Sequence, residues 1–276
     1  MILSFASEGL SATLLNLSSL AALLAYAVVA LRGEEAGNGR SQRGLLVAAW
    51  LLQLLALVLD IAGIGDARPG ARFGFAPALS TAMWMVLAVY MVESRFVPLP
   101  GVRRVLAALA TLCVALAWGF PGESRPLAAS PWAPLHWVMG LASYGLFGAA
   151  VLHAAMLNRA ERQMRLKGPK GQVVLGLPLL RLERLTFQFV AAGVAVLSLA
   201  LLLGWWFTPH WRWDHKNLLS VLGWLVLTGL LTGRRVFGWR GRRATRWLYF
   251  GAALLLLAYA GSRFVLEVLL QRGAVY

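Results

Sequence analysis

The eleven residues Trp205-Trp206-Phe207-Thr208-Pro209-His210-Trp211-Arg212-Trp213-Asp214-His215 set four tryptophans, two histidines and one carboxylate between two long apolar runs. Indole faces are flat, apolar and polarisable, and neutral imidazole ligates metals. Such a surface with imidazoles beside it, at a membrane boundary, suits a porphyrin better than a sugar or a nucleotide. His136 adds a third imidazole, in Pro131-Trp132-Ala133-Pro134-Leu135-His136-Trp137. Two imidazoles facing each other across a porphyrin give six-coordinate iron, and one leaves a position open. The iron candidates are His136 and His215, with His210 behind them. The plainer role for each is a hydrogen bond at a helix end.

Other residues carry chemistry with two readings each. Asp214 precedes an apolar run and can accept a backbone N–H as a helix N-cap, which would also set the angle of Trp213 and His215. His153 lies 17 residues after His136, about 25 Å along a helix. It reads as an inner-side haem ligand, a proton relay or a hydrogen-bonded interior histidine. Asp60, Arg263 and Glu267 are charges at lipid depth that must pair or face a cavity. Arg263 and Glu267 are one helical turn apart and can bond each other. Arg263 can alternatively hold a haem propionate bidentately. The single cysteine, Cys113, excludes an internal disulfide and a CxxC pair, and reads as packing. There is no HExxH, P-loop or GxSxG motif.

These residues need elements to hold them. Hydrophobic residues make up 59% of the 276 and charged residues 13%, too apolar for a soluble domain of this size. Continuous apolar runs recur that can each cross a hydrocarbon core of about 30 Å, and continuity rather than alternation argues helices. Eight spans are expected, at 9–31, 44–64, 74–92, 102–120, 132–157, 184–207, 216–233 and 246–270. The fold class is an all-α, polytopic helical bundle. No composition break divides it, so 1–276 reads as one transmembrane domain whose first span is retained rather than cleaved as a signal.

Basic residues set the orientation. The connections 32–43, 93–104, 158–183 and 234–246 hold eighteen lysines and arginines, against six in the opposite set. The first set is therefore expected to be cytoplasmic, with both termini and the tryptophan-rich connection outside. The net charge of +15 sits in these connections, which points to membrane lipid and topology and away from nucleic acid. Gly140, Gly145 and Gly148 recur at helix-packing spacing. No inverted repeat with broken helices speaks for a transporter.

The Trp211-Arg212-Trp213-Asp214 sequence, with Lys216 two and Trp224 ten residues beyond the aspartate, resembles the haem-handling membrane proteins of cytochrome c assembly, the CcsA, CcmC and HemX-like group. His136 followed by Ser143-Tyr144 fits the same pattern. Trp239-Arg240-Gly241-Arg242-Arg243 and Tyr259-Ala260-Gly261-Ser262-Arg263-Phe264 look most like its YpjD-like branch. The resemblance covers about residues 40–270 and is sharpest over 205–224. It implies a multi-pass protein of the bacterial inner membrane that binds or delivers haem in cytochrome c biogenesis. Its partners would be haem and apocytochrome c or other maturation proteins. It implies His136 as an axial ligand and Trp211, Trp213 and Asp214 as the signature of the haem platform, to which Trp205 and Trp206 add. The group would be haem b, held non-covalently, and the chain would handle haem rather than make bonds. Three features depart from the pattern. Asn217 stands for a glutamate, Thr232 for an intramembrane histidine, and a second outer histidine is missing, for which His215 is the natural substitute. They support an alternative in which the chain is an accessory or regulatory protein that keeps the fold without haem.

Overall fold

The computed structural model describes residues 9–32, 39–63, 71–95, 101–125, 130–167, 179–208, 213–265 and 268. Eight helices among them are long and apolar enough to cross a membrane. They are α1 (Leu10–Leu31), α2 (Gly39–Ile61), α3 (Phe75–Glu93), α4 (Val102–Gly119), α5 (Ala133–Lys167), α6 (Leu179–Phe207), α7 (His215–Phe237) and α8 (Gly241–Leu256). α8 continues through a π-helical stretch, Leu257–Gly261, into Ser262–Phe264. The eight expected spans are all present. Helices α2, α5, α6, α7 and α8 overrun them at one end or the other, because a helix closes its own hydrogen bonds and need not stop where the apolar run does. α5 thus carries Arg159, Glu161 and Arg162 beyond the expected end at 157. Among the described residues, regular structure outside the helices is one short antiparallel ladder, β1 (Ala71–Phe73) on β2 (Glu123–Arg125), in the connections before α3 and after α4.

Packing divides the chain into two compact units. The first holds residues 1–88, 99–128 and 272–276, and the second 89–98 and 129–271, so α3 runs from one into the other. In the first unit α1 packs on α2 and α4. Its core contains a closed polar network. Tyr26 donates to Gln53 Oε1 at 2.7 Å, and Gln53 Nε2 donates to Ser80 O and Oγ at 3.0 and 2.9 Å. Trp50 and Trp84 stack at 4.5 Å, each indole N–H donating to the other's carbonyl. Buried polar groups in an apolar interior need such partners. Asp60, expected to pair, lies 3.6 Å from Arg72.

In the second unit α5 packs on α6 and α8, and α7 on α6 and α8. Phe147, Val190, Val194, Leu227, Leu230 and Leu248 form its core. Glycines permit close approach at several of these contacts: a Cβ at Gly193 would sit 2.7 Å from the Phe147 ring, and one at Gly251 2.6 Å from Leu227. The antiparallel hairpins give this unit two ends. The start of α5, the end of α6, the start of α7 and the end of α8 share one. The opposite ends of the same helices share the other.

Candidate functional site

His136 stands in the first turn of α5, half-buried. Its Nδ1 is 2.8 Å from the Ala200 carbonyl on α6. A carbonyl oxygen only accepts, so Nδ1 carries the hydrogen, and in the neutral ring the lone pair is left on Nε2. Among the described residues Nε2 has no hydrogen-bond partner. The ring is seated on Gly204, where a Cβ would lie 2.8 Å from Cε1, 3.2 Å from Nδ1 and 3.7 Å from Nε2. Phe207, one turn on, meets it edge-on at 5.6 Å. Ala200, Gly204 and Phe207 fall on one α6 face by their spacing of four and three, which fixes the imidazole in position and orientation.

α7 and α8 complete this end. Asp214 caps α7: its Oδ1 accepts the Asn217 N–H at 2.7 Å from an extended backbone. Two residues later, Lys216 stands in the first turn of α7. Its Nζ lies 5.8 Å from the Tyr259 ring centroid. Tyr259 sits in the π-helical stretch and faces Tyr144 at 6.4 Å. The Tyr144 hydroxyl donates to the Leu255 carbonyl at 2.5 Å, at the edge of that stretch. Wide turns of this kind recur at functional sites because they re-aim side chains that a regular helix would place elsewhere.

The expected residues fare differently. The structure seats His136 on Ala200, Gly204 and Phe207, and separately sets Lys216 against Tyr259 and Tyr259 against Tyr144; the sequence reading did not assign Gly204, Phe207, Tyr144 or Tyr259 to the site. Trp205 and Trp206 are 63% and 80% exposed. They stand about 100° and 200° round the helix from Gly204, off the face that holds His136. Trp213 is 69% exposed, and His215, the first residue of α7, is exposed beside the capping Asp214. Arg263 is half-buried after the π-helical stretch. His210 and Trp211 lie outside the described residues, as does Glu267, the partner expected for Arg263. Gly204 had a signal in the sequence, since a helical glycine between bulky residues gives up about 1 kcal/mol against alanine unless something approaches closely.

His153 is hydrogen-bonded in the interior, which argues against the haem-ligand reading. Its Nδ1 meets the Ala149 carbonyl at 2.7 Å and its Nε2 meets both Glu93 oxygens at 3.0 and 2.9 Å. It is 1% exposed with Phe189 over its ring at 5.1 Å. Both nitrogens are taken, so this ring offers no lone pair. Trp224, part of the motif, donates to Ser198 Oγ at 2.7 Å and ties α7 to α6.

No three of His, Cys, Asp and Glu converge as a metal site among the described residues. A porphyrin does not ask for that, because it supplies four of the iron ligands itself and leaves one or two to the protein. An imidazole locked through Nδ1–H to a carbonyl, with Nε2 presented, is the arrangement that metal-binding histidines commonly adopt. The residues present fit an axial haem ligand.

The comparisons with known proteins agree on the family. The model of the cytochrome c assembly protein family matches residues 45–270. The chain belongs to that family. The inner membrane protein YpjD of Escherichia coli K12 is 31% identical to this family member over 264 residues, which cover 91% of this chain and 98% of the relative. The cytochrome c biogenesis protein CcsA of Prochlorococcus marinus is 22% identical over 218 residues, 66% of this chain and 69% of the relative. No solved structure matches.

Proposed function

We propose that the chain binds haem b non-covalently at the His136 end of its second unit and presents it for cytochrome c biogenesis. The names of its relatives, an inner membrane protein and a cytochrome c biogenesis protein, support a bacterial inner-membrane setting. The lysine and arginine bias supports placing this end, and both termini, on the extracytoplasmic side. The observation that carries the reading is the His136–Ala200 hydrogen bond, because it commits Nδ1 as donor and leaves Nε2 for iron. Haem, once bound, would supply an iron that imidazole can ligate. His136 would hold it through Nε2, and His215 at the head of α7 is the candidate for a second ligand. Lys216 and Arg263 offer cationic partners for propionates. Trp211, Trp213 and Asp214 keep the roles of platform and scaffold that the family resemblance implies, whereas Trp205 and Trp206, off the α6 face that holds His136, are given no part in it. Thioether bonds would need cysteines from an apocytochrome partner.

The test is the absorption spectrum of the purified full-length protein, as isolated and after titration with hemin. Wild type is expected to show a Soret band, and His136→Ala to lose most of it while His153→Phe retains it. Asn217 and Thr232, which replace a glutamate and a histidine of the family pattern, favour a second reading, a membrane accessory protein without haem. A colourless wild type that takes up no hemin would establish that reading in place of the first.

A further inference from the structure

We propose that the α7–α8 corner, at the end of the second unit opposite His136, is a binding site for one anionic phospholipid. The phosphate is held by Arg240 and Arg243, and an acyl chain lies along Trp247 and Phe250. Residues 234–246 carry six arginines and no carboxylate. Glu183 of α6 answers two of them through a single oxygen, at 3.7 Å from Arg234 and 3.9 Å from Arg240, both too long for hydrogen bonds. Glu161 also reaches this corner: its Oε1 lies 3.8 Å from where a Cβ on Gly241 would stand. Two carboxylates against six guanidiniums leave a concentrated surplus of positive charge.

A bias toward positive loops would set topology wherever the arginines pointed. Here they are held. The turn is tightened by Gly238 and Gly241, both left-handed, at φ 63° and 59°. Trp239 is pressed onto Gly233, where a Cβ would lie 2.6 Å from the indole, and the Trp239 backbone N–H donates to the Gly233 carbonyl at 3.3 Å. Its other contacts are rings and a cation: Phe237 at 6.2 Å, Trp247 at 6.4 Å, and the Arg243 guanidinium 4.5 Å from its centroid. Arg234 lies 3.6 Å over Phe187 in the same manner. A guanidinium backed by an aromatic face is pre-oriented, and its N–H edge stays available for two parallel bonds to phosphate oxygens. Arg240 remains 72% exposed.

The apolar half of the site is on the same helix face. Arg243, Trp247 and Phe250 follow at spacings of four and three, so they share one face over about 10 Å. Trp247 and Phe250 pack edge to face at 6.1 Å and remain 42% and 51% exposed. A cationic grip at headgroup level above two exposed rings at the start of the hydrocarbon fits a molecule with a phosphate and a chain. Inorganic phosphate would use only the first half, and a zwitterionic lipid would leave the surplus charge unanswered.

Native mass spectrometry of the delipidated full-length protein tests this with phosphatidylglycerol, phosphatidylethanolamine of the same chains, and inorganic phosphate. One phosphatidylglycerol per chain is expected, with a preference over phosphatidylethanolamine of about tenfold that Arg240→Gln/Arg243→Gln abolishes. Arg40→Gln/Arg43→Gln removes two exposed charges from the start of α2 and is expected to keep the preference. Absence of preference in wild type, its survival in the first double variant or equal loss in the second overturns the proposal, as does displacement by equimolar inorganic phosphate. Trp247→Phe decides the matter if the double variant fails to fold. Brominated acyl chains on phosphatidylglycerol should quench wild-type fluorescence measurably more than that of the variant, and equal fractional quenching refutes the site.

Discussion

Gly204→Ala isolates the orientation of His136 from its presence. The added Cβ would stand 2.8 Å from His136 Cε1 and 3.2 Å from Nδ1, while carbon contacts settle near 3.4 Å or more. The ring must therefore retreat by roughly 0.6 Å, away from the helix whose Ala200 carbonyl holds it at 2.8 Å. That hydrogen bond fixes which nitrogen carries the proton, so lengthening it releases both tautomer and aim. Loss of such an outer-shell partner typically costs 10–100-fold in metal affinity, about 1.4–2.7 kcal/mol. The helix itself should not suffer, since alanine in place of glycine is worth about 0.8–1.0 kcal/mol in its favour. The assay is hemin titration followed at the Soret band, with thermal unfolding in parallel. Gly140→Ala is the control, because a Cβ there meets nothing within 4 Å. Hemin affinity in Gly204→Ala equal to wild type, or an equal loss in Gly140→Ala, would refute the reasoning that this glycine seats a ligand.

Substitutions at two other positions separate scaffold from site. Asp214→Ala should lower stability by about 1 kcal/mol through loss of the α7 cap, whereas Asp214→Asn, which can still accept the Asn217 N–H, should retain both stability and hemin uptake. Equal damage from both, read by thermal unfolding and hemin titration, would mean that the carboxylate charge itself matters. Glu93→Leu strips Nε2 of the buried His153 of its partner. The loss should fall at or below the low end of the about 3–5 kcal/mol seen for broken buried pairs, because Glu93 is 22% exposed. Denaturation in detergent measures it, and a hemin affinity that fell with it would contradict the structural role of His153.

The eight helices were legible because apolar length is a local property of the chain, and their number came out as read. Their ends were less so, since Arg159 and Glu161 extend α5 past the apolar run at no backbone cost. What the pattern of residues could not show was pairing across the sequence. Glu93 stands 60 positions from His153 and drew no notice by itself, although an intramembrane histidine demanded some partner. The π-helical turn at Leu257–Gly261 escaped for a different reason: a shift from four- to five-residue hydrogen bonding leaves the apolar run unchanged. The tryptophans were legible as a cluster but not in direction, and it is Gly204, not Trp205 or Trp206, that α6 turns toward His136.

The two histidines of α5 make the strongest internal contrast. They share a helix, and each spends Nδ1 on a backbone carbonyl, at 2.8 and 2.7 Å. The difference lies wholly at Nε2. At His153 a carboxylate closes it within a buried pocket; at His136 it has no hydrogen-bond partner among the described residues. A histidine kept only for packing gains nothing from a glycine that lets it lie flat against α6 and nothing from a lone pair without a partner. Thr232, at the position where the family pattern implies an intramembrane histidine, removes one inner ligand, and Glu93 occupies the other candidate. On the proposed reading, haem binding by this chain centres on the His136 end.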